Sequence, residues 1–73
     1  MESVKYVKMR TTARVNYRNE MNTDDDSVEG ILNTGSTVSA VENFYVFKHG
    51  HFWRKVKIHR RHFFIMTDYL EDT

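Results

Sequence analysis

Histidines at 49, 51, 59 and 62 bring the imidazole nitrogens that hold zinc, and Asp24-Asp25-Asp26 brings oxygens of the kind that hold calcium. Neither set has the spacing its chemistry needs. His49-Gly50-His51 and His59-Arg60-Arg61-His62 follow no zinc pattern, and a chain without cysteine has no thiolate ligand, thiol nucleophile or disulfide to add. The aspartate run lacks the alternating ligands, central glycine and closing glutamate of a calcium loop, so it reads as a solvated acidic loop. Ser27, Ser36 and Ser39 have no elbow motif around them, and paired carboxylates occur only in polar stretches. These residues assign no catalytic role, no metal and no cofactor.

The remaining candidate is a stripe. In Phe52–Ile58, side chains alternate between two faces, as they do along any strand. Phe52, Arg54, Val56 and Ile58 form one face, which Val56 and Ile58 mark as the core side. Trp53, Lys55 and Lys57 form the other. His59-Arg60-Arg61 reads as a turn, and His62–Met66 resumes with Phe63 and Ile65 on one face and His62, Phe64 and Met66 on the other. Pairing the two strands sets Trp53, Lys55 and Lys57 beside His62 and Phe64, with Arg60 and Arg61 at the end. Aromatics are costly to expose, so Trp53 and Phe64 either pack beneath the Phe44–Phe47 segment or meet a partner. The alternative is a solvated outer face whose lysines discourage edge pairing. As a site, Trp53, Lys55, Lys57, His62, Phe64, Arg60 and Arg61 define a binding face, not a reaction centre.

The elements that must position this stripe follow from the rest of the chain. Its 73 residues allow one domain, spanning 1–73. A domain near this size buries about 60% of the surface its unfolded chain exposes, so each large apolar residue matters. A content of 40% hydrophobic and 14% aromatic residues excludes disorder, and a formal net charge of +1 gives no bulk electrostatic case for nucleic acid. No apolar run is long enough to span a bilayer, and the first residues carry none that fits a signal peptide. The expectation is a cytoplasmic protein as written, or a cell-surface one if the chain belongs to a longer exported or lysis-released protein.

Val4–Met9 reads as a first strand, ended by Thr11-Thr12, and Ala13–Arg18 as a second. In the second, Ala13, Val15 and Tyr17 face one way and Arg14, Asn16 and Arg18 the other. Asn19–Ser27 is the longest loop. Val28–Leu32, Thr37–Val41 and Phe44–Phe47 are further strands, separated by turns at Asn33-Thr34-Gly35 and Glu42-Asn43, and Lys48-His49-Gly50 turns into the stripe. Asp68–Thr73 reads as a tail. The apolar period is two throughout, which predicts an all-β chain without a helix longer than about two turns.

In this order the elements resemble the bacterial SH3 (SH3b) family. Val15-Asn16-Tyr17-Arg18 sits where that family has a Leu-Asn-Val-Arg-like strand. Val28 to Gly35, with Gly30, Leu32 and Gly35 at the expected spacing, matches its Val-x-Gly-x-Leu-x-x-Gly turn. Thr37–Val41 matches the Val-rich strand, Trp53-Arg54-Lys55-Val56 matches Trp-x-Lys-Val, Phe63-Phe64-Ile65 replaces Gly-Trp-Val, and Tyr69-Leu70 closes the pattern. The match runs from about Ala13 to Leu70. Two departures stand out: Glu20-Met21 replaces the family's Gly-Pro, in a chain without proline, and the Glu42–His51 segment is longer and more aromatic than the usual distal turn.

The resemblance implies a small SH3-like barrel of five to seven short strands, closed by Tyr69-Leu70 packing on the last strand. It also implies a non-catalytic module that recognises bacterial cell-wall peptide or glycan, or a peptide ligand. The alternative is a free-standing intracellular protein of a phage or mobile element that binds a host protein, with nucleic acid ranking behind. No membrane partner is expected.

Overall fold

A computed structural model describes residues 4–73. The reading of the chain's first residues falls in part on 1–3, outside that range. Eight strands form among the described residues: β1 (Tyr6–Thr11), β2 (Val15–Arg18), β3 (Val28–Leu32), β4 (Thr37–Val41), β5 (Val46–Lys48), β6 (His51–Ile58), β7 (Arg61–Met66) and β8 (Leu70–Asp72). The only helical pieces there are two single 3-10 turns, Asp25–Ser27 and Thr67–Tyr69. No helix among the described residues is long and apolar enough to cross a membrane. The fold is all-β, as the alternation predicts. The count exceeds the seven strands read from sequence by one, because Leu70–Asp72 is a strand and not a tail. It pairs with β1, from Met9 opposite Asp72 to Thr11 opposite Leu70, and so closes on the first strand, not the last.

All pairings are antiparallel, and the strands run in the order β3-β2-β7-β6-β4-β1-β8, with β5 attached to β6. The longest strand, β6, uses one edge for β7 and divides the other between β5 and β4. The sheet curls on itself. Tyr69 lines a pocket with Arg14–Asn16 of the β2 side, while Leu70, the next residue, pairs with β1. The curled sheet does not close, since β3 and β8 remain the two ends of the order. The result is a small barrel-like domain wrapped around Met9, Val15, Val38, Ala40, Val56, Phe63, Ile65 and Leu70. Burying a Val, Leu, Ile, Phe or Met side chain contributes about 1.5–3 kcal/mol, and these residues come from six strands, so the core ties the whole sheet together.

Three local devices hold the curl. Thr11, which sequence reading took as a breaker, is buried inside β1. Its hydroxyl donates to the Asn33 carbonyl at 2.7 Å and accepts from the Ser36 amide at 2.9 Å, which pins the β3–β4 turn. Gly35 in that turn has φ 84°, a conformation that costs glycine nothing. Tyr17 lies over Gly30, its register partner on β3, and its ring meets Phe63 edge-on at 4.8 Å; a Cβ at Gly30 would occupy the space of that ring. Both hairpins at the ends of β6 use two-residue turns. Lys48 pairs with His51 around His49-Gly50, and Ile58 pairs with Arg61 around His59-Arg60, with positive φ at all four turn residues. That is the type I′ geometry which matches strand twist. Arg61, read as part of the turn, therefore begins β7.

The two faces of β6 fall largely as the alternation predicts, since Arg54 and Val56 are buried with Phe63 and Ile65. Two residues depart from it. Phe52 shares the core-side parity but is 56% exposed, because the β7 ladder begins only at Trp53 and this end of β6 overhangs with β5. It packs edge-on against Phe47, ring centres 4.9 Å apart. Trp53 has the outward parity but is fully buried, and its Nε1 donates to the Lys48 carbonyl at 2.8 Å. Its neighbours are Val46 of β5 and Met66 of β7 by register, with the His51 ring 6.2 Å from its own.

Urea melts of single variants should therefore rank Trp53→Ala first, at about 3–5 kcal/mol, then Val56→Ala at about 2 kcal/mol. Lys57→Ala should stay within about 0.5 kcal/mol. A Lys57→Ala cost equal to that of Val56→Ala would mean that the faces of β6 are assigned the wrong way round.

Candidate binding face

The outward face of the sheet gathers its residues by register. Lys8 lies opposite Ser39, Ser39 opposite Lys57, and Lys57 opposite His62, so one row crosses β1, β4, β6 and β7. Tyr6 reaches this row from β1. Its hydroxyl is 2.9 Å from His62 Nε2, the two rings are nearly parallel at 9° with centres 6.3 Å apart, and Lys57 Nζ sits 5.6 Å from the Tyr6 ring centre. A second cluster lies one step along the strands. Lys55 is opposite Phe64, the Phe44 ring is 5.9 Å from the Phe64 ring, and Lys55 Nζ is 5.9 Å from the Phe44 ring centre. Cations beside exposed or half-exposed rings gain about 0.5–1 kcal/mol each, enough to orient a side chain but not to hold a fold.

Of the stripe read from sequence, Lys55, Lys57, His62 and Phe64 come together here. Trp53 does not join them, being buried. Arg60 is exposed at the turn tip, at the His62 end of the face. Arg61 falls on the other side of β7, where its guanidinium lies 5.4 Å from the Phe63 ring centre and lids the core. Tyr6 and Phe44 belong to the face and were not picked out from sequence. Tyr6 lies 56 residues from His62, so no local pattern joins them, whereas Phe44 was visible as part of an aromatic segment next to the stripe. His49 and His51 stand at the opposite end of β6 from His59 and His62. No group of three or more His, Cys, Asp or Glu side chains able to hold a metal gathers among the described residues.

Beyond Phe64 the face runs into an open groove of about 290 Å³. One wall is the loop Asn19-Glu20-Met21-Asn22, the other is Lys48-His49, and Phe64 lies between. The loop is shaped by Arg18. That side chain leaves β2 on the outward face yet is buried, and its Nη1 donates to the Asp24 carbonyl at 2.8 Å and to Ser27 Oγ at 3.0 Å. Ser27 Oγ in turn donates to the Asp24 carbonyl at 2.8 Å, and Asn22 Oδ1 accepts from the Asp24 amide at 3.1 Å. These bonds gather the backbone of the loop beneath it and leave Asp24, Asp25 and Asp26 exposed. No protein-family model matches the chain, and no curated protein or solved structure matches it. Fold and face together define a small all-β barrel-like domain with an aromatic-cationic face and a polar groove beside it.

Arg18→Met should remove the loop's anchor. We expect a loss of about 1–3 kcal/mol from the unsatisfied partners, with amide exchange faster across Asn19–Ser27 and unchanged in the β6–β7 ladder. Unaltered exchange in the loop would show that it is held by something other than Arg18.

Proposed function

We propose that the chain is a non-catalytic binding module of the SH3b type, which takes a peptide of the bacterial cell wall on its outward face. The observation that carries this reading is the groove. Glu20 and Lys48 bring opposite charges to different walls, Asn19 and Asn22 add amides, and Phe64 with Met21 supplies an apolar surface between them. Wall peptides carry free amines, carboxylates and small apolar side chains on an extended backbone, and each has a complement here. The order of strand motifs from Val15 to Leu70 supports the same reading. The rings of Phe44 and Phe64 and the ammonium of Lys55 extend the surface toward Tyr6 and His62, where a glycan could stack. On this reading the face and groove bind a ligand without transforming it.

A second reading has its own observation. Residues 43–67 contain no Asp or Glu but carry Lys48, Arg54, Lys55, Lys57, Arg60 and Arg61, so the near-neutral total conceals a strongly basic β5–β6–β7 meander. That segregation favours a polyanion such as nucleic acid, or an acidic host protein met by a phage or mobile-element product.

Retention on purified peptidoglycan separates the two. The parent protein should be retained, and Lys48→Ala and Met21→Ala, both at the groove surface, should each weaken retention by about fivefold, or about 1 kcal/mol. A parent that passes through peptidoglycan but binds single-stranded DNA or RNA, with affinity falling steeply as salt rises, would replace the first reading with the second.

A further inference from the structure

Arg18 is a buried cation without a counter-ion. It is 9% exposed, and both of its hydrogen bonds leave from Nη1 to neutral acceptors, the Asp24 carbonyl and Ser27 Oγ. Among the described residues no carboxylate stands within ion-pair distance of it; the ion pair found there joins Arg10 to Glu71 at 2.7 Å. Removing a charge from water costs several kcal/mol, and neutral acceptors return part of that. Proteins seldom bury an arginine unless something pairs with it; the more deeply buried Arg54 has the Tyr45 ring at 4.4 Å as its partner, whereas Arg18 has only neutral oxygens.

Arg18 also lines a pocket. β2 meets β7 only at the Arg18–Phe64 pair, and beyond that pair the two strands part. The split holds a cavity of about 180 Å³ lined by Arg14, Val15, Asn16, Arg18, Met66 and Tyr69. Arg14, Asn16 and Arg18 alternate along the chain, so they share one side of it. Of these three, Arg14 is exposed, Asn16 half-buried and Arg18 buried; the Nη1 of Arg18 is taken by the loop, which leaves its Nε and Nη2 as the free edge of the fork. Met66 and the Tyr69 ring complete the lining with apolar surface. Two guanidinium groups and an amide around a small, partly apolar space make a receptor for an anion, and no acidic side chain is part of the lining.

We infer that this pocket is a carboxylate site, and that its ligand is the C-terminal residue of a peptide. The guanidinium fork binds a carboxylate with two parallel hydrogen bonds, as it also can a phosphate; the apolar surface of Met66 and Tyr69 beside it selects an organic acid with a small side chain. Arg18 supplies the buried charge, Arg14 the second, exposed fork and Asn16 a neutral donor, while Met66 and Tyr69 contact the small side chain of the terminal residue. The source of that peptide rests on the cell-wall reading; the carboxylate chemistry does not.

The test is an NMR titration of the full 73-residue chain with N-acetyl-alanine, its primary amide and inorganic phosphate. The free acid should move the amides of Asn16, Arg18, Met66 and Tyr69 along a saturable curve with a dissociation constant on the order of 1 mM. The amide should not bind, and phosphate should bind more weakly than the acid. Arg14→Gln, an exposed substitution that leaves the loop anchor in place, should raise the constant for the acid by about fivefold. Arg18→Lys, which keeps the charge and loses the fork, should raise it further. Equal binding of acid and amide, tighter binding of phosphate, or an unchanged constant in Arg14→Gln would overturn the assignment. Peptidoglycan retention distinguishes the two proposals. Retention that stays unchanged in Arg14→Gln while its acid binding weakens overturns the pocket as the anchor for wall peptide. Acid binding by a protein that peptidoglycan does not retain supports the carboxylate site and removes the wall as its source.

Discussion

One register governs this molecule: Trp53 opposite Met66 through Ile58 opposite Arg61, along the β6–β7 ladder. It sets Val56 beside Phe63 and Arg54 beside Ile65 in the core, and Lys55 beside Phe64 and Lys57 beside His62 on the outside. A slip by one residue would exchange the two sets, burying lysines and exposing the apolar centre. The penalty for that exchange is what makes the ladder unique. β6 also supplies the edges for β4 and β5, so the same register places Ser39 in the cationic row and brings the Lys48 carbonyl to the Trp53 indole. Core, outward face and hairpin overhang are consequences of a single alignment.

The face and the groove are built differently. The row Lys8–Ser39–Lys57–His62 stands on paired strands, so its spacing is fixed by the sheet. The groove has one wall on a hairpin turn and the other on a loop that two hydrogen bonds from Arg18 hold in shape. A module arranged this way keeps a rigid platform of charge and rings while the walls of its groove vary with loop sequence. Glu20-Met21 and part of the aromatic Glu42–His51 segment fall on those walls and beside them.

Most of the fold was legible in the chain because period-two alternation is a local signal. β3 and β4 have the bounds read from sequence, and the faces of Val56, Phe63 and Ile65 follow from parity alone. What parity cannot report is cover. Trp53 has outward parity, yet it is buried with its indole bonded to the Lys48 carbonyl of β5; Phe52 has inward parity, yet the β7 ladder stops short of it. β8 was missed for the opposite reason. Leu70-Glu71-Asp72 has the composition of a tail, and only its long-range pairing with Met9–Thr11 makes it a strand. Likewise nothing near Arg18 in sequence marks it as buried, because the groups that cover it, Asp24 and Ser27, lie in a loop whose composition reads as solvated. Tyr6 joined the face through a contact spanning nearly the whole chain.

The turn at His59-Arg60 has a consequence for how the chain reaches this state. Both residues hold left-handed backbone, φ 51° and 67°, where neither is the asparagine or glycine that type I′ turns favour. Left-handed backbone costs a residue other than glycine on the order of 1 kcal/mol. A tip that resists its own bend does little to nucleate the β6–β7 hairpin, so the bend is held in place by the core contacts of Val56, Phe63 and Ile65 further along the two strands.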